Sequence, residues 1–121
     1  MNRFVLAAAA LILSSGAVLA SEILAPLYGN TLTITDSKGG KQIIYVNADK
    51  TWESHPPDGT VYKGTWAMRD ASHACFTLTD PPPGPDDKPD CPDVTGMQPV
   101  GTAWEDGDGE NKSSLIITAG R

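Results

Sequence analysis

The chain is poor in cysteine, histidine, basic residues and long apolar runs, and each shortage removes a class of protein. Among 121 residues only Cys75 and Cys91 carry sulfur for cross-linking or redox chemistry. They stand too far apart for a Cys-x-x-Cys redox or zinc motif. The two histidines, His55 and His73, are distant from each other and lack a paired ligand pattern, so they read as turn or strand-end residues and not as a metal set. Nine Lys and Arg, scattered along the chain, face fifteen Asp and Glu, for a formal charge of -6. Such a surface repels phosphate backbones, which argues against nucleic acid as a partner. There is no Gly-x-Ser-x-Gly elbow, no His-Glu-x-x-His and no phosphate-cradling glycine loop, so no catalytic residue is assigned and the chain reads as a non-enzyme. The one uninterrupted apolar run, Phe4–Leu13, is shorter than the roughly 20 residues a bilayer core demands.

What is present begins with that run. It follows Arg3 and ends in small residues, the layout of a secretory signal peptide over residues 1–20. Val18 and Ala20 fit the minus-three and minus-one positions, which puts cleavage after Ala20. No cysteine stands at that point to take a lipid anchor. Residues 21–121 then suit a single periplasmic or secreted domain, more acidic still because Arg3 leaves and no acid does. A domain of this size has a modest core, and a covalent staple would help it. Outside the reducing cytosol a Cys75–Cys91 disulfide is the expected pairing. Closing such a loop is worth on the order of 3 kcal/mol in the chain-entropy model.

The dominant local pattern of the mature chain has period two. In TLTIT, Leu32 and Ile34 share one face and the threonines the other. KQIIYVN is apolar on both faces around Ile43 to Val46, as a central strand is. TWES follows a short turn, and TVYKGTWAM places Tyr62, Trp66 and Met68 on one face with Gly64 between them. A mid-strand glycine marks a bend, a bulge or an overlying aromatic ring. HACFTLT sends Ala74, Phe76 and Leu78 one way and Cys75, Thr77 and Thr79 the other, so the disulfide should clamp the outer face or rim. VGTAW and SSLIIT read as two further strands separated by EDGDGENK. No mature segment has helical apolar spacing. The fold expected is all-β: a small antiparallel meander, barrel-like or a sandwich, with partial or full closure into a barrel preferred.

Leader, meander, Gly-Thr-Trp strand and Cys pair together resemble small secreted or periplasmic all-β proteins of proteobacteria, a likeness that implies compartment and fold and no activity. Gly64–Trp66 is similar to the Gly-x-Trp of calycin-like ligand-carrying barrels. GTWAMRDASHACFTLTD resembles a Gly-x-Trp strand followed by a Cys-containing strand in small periplasmic barrel inhibitors of metalloproteases. Neither resemblance carries binding residues onto this chain.

Three surfaces are candidates for function. The loop 80–93, with Asp80, Asp86, Asp87, Asp90 and Asp93 among prolines 81, 82, 83, 85 and 89, is stiff, acidic and suited to a protein partner or basic surface. Trp52, Trp66 and Trp104, with Tyr45 and Tyr62, are candidates to line a ligand pocket. Asp106, Asp108 and Glu110 alternate like the first ligands of a calcium loop, although Asn111 and Ile117 stand where an EF-hand needs Gly and Glu, and a plain turn explains them better. No other cofactor is implied. The leading expectation is a non-catalytic binding or interaction module, with a small-molecule carrier and an inhibitor of an extracellular hydrolase as alternatives.

Overall fold

The computed structural model describes residues 23–121. The expected leader and its cleavage site after Ala20 lie outside the described residues. Seven strands form one antiparallel sheet: β1 (Thr31–Thr35), β2 (Lys41–Val46), β3 (Thr51–His55), β4 (Tyr62–Met68), β5 (Ala74–Asp80), β6 (Trp104–Asp106) and β7 (Ser113–Thr118). Helical structure among the described residues is confined to two 3-10 turns, Ala25–Leu27 and Gly109–Asn111.

The hairpins are set by a repeated piece of turn chemistry. In the four turns joining β1 to β5, an aspartate accepts the backbone N–H two residues ahead: Asp36 from Lys38, Asp49 from Thr51, Asp58 from Thr60 and Asp70 from Ser72. Each such bond satisfies a turn amide that the ladder cannot reach. Successive side chains of the strands between them point to opposite faces, so each hairpin adds to the same two-faced sheet.

Strand order is β5-β4-β3-β2-β1-β7-β6. The two-sided apolar β2 is the central strand, as its sequence implied. The first five strands are a sequential meander, but β7 then takes the free edge of β1 and β6 lies outside it. The chain must therefore carry residues 81–103 from one end of the sheet to the other.

That crossing explains why the sheet stays open, against the expectation of a partly or wholly closed barrel. Closure would need β5 and β6, the two outer strands, to pair. Instead the outer edge of β5 is taken by the crossing segment itself. Phe76 and Asp90 exchange both backbone bonds at 2.7 and 3.0 Å, Ala74 N–H donates to Pro92 O, and His73 bridges Asp93. Pro92 has no N–H to return. A second correction concerns VGTAW: the strand begins only at Trp104, because Thr102 N–H donates to Pro99 O and Gly101 adopts φ +90° in a turn.

Cross-strand register assigns the faces. Leu32, Ile44, Ser54 and Tyr62 form one row, with Ile117 beyond Leu32; Trp104, Leu115, Ile34 and Gln42 form another. Val46, Trp52, Gly64 and Leu78 make a third, and Trp66 faces Phe76 in a fourth. This inner face meets a cover made by the 3-10 turn, through Leu24 and Leu27, and by Val94 of the crossing segment. Leu24 and Leu27 are almost wholly buried, each contributing roughly 2 kcal/mol by removal from water. Beneath them lie Leu32, Val46, Trp66, Ala74 and Ile117.

The disulfide is where the alternation placed it. Cys75 and Cys91 are joined, and with Phe76–Asp90 and Ala74–Pro92 as the flanking pairs they sit directly opposite each other. Cys75 lies beside Ala67 on the face away from the core. The staple thus fixes the crossing segment to the rim.

Candidate functional site

Among the described residues the cover shields only part of the inner face. Leu24, Leu27 and Val94 form one buried cluster with Leu32, Val46, Trp66, Ala74 and Ile117. Ile34, Ile44, Trp52, Tyr62, Phe76, Leu78, Trp104 and Leu115 lie on the same face and remain half-exposed. They form the floor of a cleft of about 790 Å³, a volume in the range of small-molecule sites. One wall is the stapled segment, from Asp87 to Met97, and the other is β6 with Trp104, Glu105 and Asp106.

The floor is held by packing that local sequence dictates. Gly64 lies under the Trp52 indole: a β-carbon there would come 2.7 Å from the ring and 1.9 Å from Thr77 O. The register also shifts between Lys63 and Gly64. The mid-strand glycine therefore serves both functions read from it, a bulge and an overlying ring. Trp52 Nε1 donates to Thr65 O at 2.9 Å, and its ring meets Phe76 edge-on with centroids 6.2 Å apart. Two polar side chains interrupt the apolar floor, and they satisfy each other, Gln42 Nε2 donating to the Ser54 hydroxyl at 2.7 Å. A ligand on this floor meets mostly carbon.

The rim is acidic. Asp87, Asp90 and Asp93 stand on the stapled wall and Glu105 and Asp106 on the other, with Lys88 among them. The Thr95 hydroxyl and then its N–H donate to Asp93 and hold its carboxyl below the ordinary value. Asp70, at the base of the same wall, is depressed further, first by the Ser72 N–H and then by His73.

The five aromatic residues singled out from the sequence are not one group. Trp52, Tyr62 and Trp104 line the cleft. Trp66 is buried at 2 % exposure, with its Nε1 on Asn47 O, Tyr28 stacked against it and the Lys50 ammonium 4.1 Å from its ring. It is a core residue. Tyr45 faces the other side of the sheet, edge-on to His55 and under the Arg121 guanidinium. Sequence reasoning missed Ile34, Ile44, Phe76, Leu78 and Leu115 as lining. Their alternation showed which face they share but not that it would be left uncovered.

Among the described residues no three His, Cys, Asp or Glu side chains gather as a metal would require. Asp106, Asp108 and Glu110 are accordingly not brought together as calcium ligands. Asp106 accepts the Gly107 N–H, and Gly107 at φ +87° passes so close to Asn111 O that a β-carbon would lie 2.3 Å from it. This is tight-turn geometry. His55 pairs with Glu53 on the outer face, where that hydrogen bond is the first cause of a lowered Glu53 carboxyl, and His73 pairs with Asp70. The loop 81–90 is exposed throughout, and its C-terminal part is the cleft wall. No helix among the described residues is long and apolar enough to cross a membrane. No protein-family model and no curated protein matches the chain, which leaves the cleft itself as the ground for a functional reading.

Proposed function

We propose that the protein is an exported, non-catalytic binding module whose ligand lies in the cleft between the stapled segment and β6. The observation that carries this is the uncovered half of the inner face. A domain this small has little apolar surface to spare, yet eight large apolar or aromatic side chains, six of them packed against the core, stay half-exposed along one concavity. The leader-like N-terminus and the cystine support export. The carrier and the interaction-loop readings meet here, because Asp87, Asp90 and Asp93 belong both to the loop and to the cleft wall.

The test is a titration with a neutral, environment-sensitive apolar dye such as Nile red, followed by its emission and by tryptophan quenching. Binding at one site is expected. Leu115→Glu, which puts a charge on the floor, should abolish it, and Tyr45→Ala on the opposite face should leave it intact. Equal binding by both variants would place the dye elsewhere and sink the proposal.

A further inference from the structure

Resting on the reading of the cleft as a ligand site, we infer that its ligand is a soluble amphiphilic cation: an alkyl or aryl body carrying an ammonium or guanidinium head. The body is specified by the floor. Its polar pair, Gln42 and Ser54, already shares one hydrogen bond, and the rest of the floor is mainly aliphatic and aromatic, a poor match to a sugar or other polyol.

The head is specified by the walls. Asp87 and Asp90 stand on one wall and Asp106 on the other, whereas strand alternation turns Glu105, paired with Lys112, and Asp93, beside His73, toward the opposite face. Among the described residues no lysine or arginine lies within ion-pairing distance of Asp87, Asp90 or Asp106, and Lys88 is the one basic residue of the lining. Glu105 meets Lys112 at 3.6 Å, an exposed pair of small worth. Asp87 accepts the Gly84 N–H and Asp106 the Gly107 N–H, single bonds that leave lone pairs for a second donor. A cation entering the cleft meets negative charge on two walls; an anion is repelled from both. Trp52 and Phe76 belong to the same lining, aromatic surface of the kind that attracts an alkylammonium and does nothing for a sulfate.

Three ligands with the same decyl chain separate these elements: decyltrimethylammonium, decyl maltoside and decyl sulfate, each kept below its micelle concentration and followed by tryptophan emission and calorimetry. The cation should bind at least about tenfold more tightly than the neutral compound, with the sulfate weakest. The preference should shrink as salt is raised. It should fall to near unity in the variant Asp87→Asn, Asp90→Asn, Asp106→Asn, whose changes are exposed and nearly isosteric. The salt series on the unsubstituted protein answers the same question with no variant to fold. Equal or tighter binding of decyl maltoside, or a cation preference indifferent to salt, overturns the inference while leaving the apolar cleft in place. If none of the three binds, the underlying reading of the cleft falls with it.

Discussion

Gly64 and the turn aspartates show how much of the fold rests on single atoms. A methyl group at position 64 would lie 1.9 Å from Thr77 O and 2.7 Å from the Trp52 ring. The carbonyl belongs to the β4–β5 ladder and cannot swing aside as a side chain can. Gly64→Ala should therefore destabilise by about 2–3 kcal/mol, the cost of forcing volume into a packed site, read as a fall in melting midpoint on the order of 10 °C. The aspartates act through charge. Asp58, Asp70 and Asp93 have carboxyls lowered in the folded state from 3.8, chiefly by hydrogen bonds from Thr60, Ser72 and Thr95 respectively. A folded pKa below the unfolded one means that the unfolded chain binds protons first as pH drops. The stabilisation is complete well above pH 3.8 and is lost as pH falls through the depressed values. Melting midpoints measured from pH 7 to pH 2 should hold until about pH 4 and then decline. In Asp70→Asn, which keeps a side-chain oxygen for the Ser72 N–H, the acid decline should be shallower. An unchanged slope would mean that this carboxylate is not coupled to folding.

The disulfide matters at the level of elements, because it joins β5 to the segment that blocks its edge. An unpaired edge strand invites pairing with another chain, and natural sheets cover or shorten such edges. Here β5 is covered by residues 90–93, with Pro89 and Pro92 beside the contact, and the opposite edge is the three-residue β6 bearing Glu105 and Asp106. Replacing both cysteines by serine should cost about 3 kcal/mol through loop closure. It should also loosen one cleft wall. Hydrogen exchange is the direct readout: amides of Phe76 and Asp90, which bond each other, should lose protection more than those of β1 and β2. Most strands were legible because period two and turn residues are local signals. TLTIT, KQIIYVN, TWES, the Gly-Thr-Trp run, ACFTLT and SSLIIT all became strands, and the outward Cys75 followed from parity alone. VGTAW carried a similar pattern and failed, since the turn at Pro99–Thr102 holds it off the sheet until Trp104.

For the whole molecule, the property that matters is the incomplete cover, and it was not legible. Whether a sheet closes depends on where residues 81–103 go, and a stretch of prolines and aspartates has no periodicity that would say. Trp66 and Trp52 look alike in sequence; one is buried in the core with Tyr28 stacked on it, and the other is half-exposed in the cleft. Tyr45 was misread because β2 is apolar on both faces, which leaves its parity ambiguous. An uncovered apolar face leaves stability unrealised, and a ligand that fills it should supply what is missing. A ligand that binds only the native protein adds about 2.7 kcal/mol at a hundredfold excess over its dissociation constant. For a domain of this size that corresponds to a rise in melting midpoint on the order of 10 °C. The rise should grow with the logarithm of ligand concentration and should be absent in Leu115→Glu. Dye or amphiphile that changes tryptophan emission without moving the midpoint would be bound to the unfolded chain as strongly as to the cleft, and the cleft would then be no more than an exposed patch of sheet.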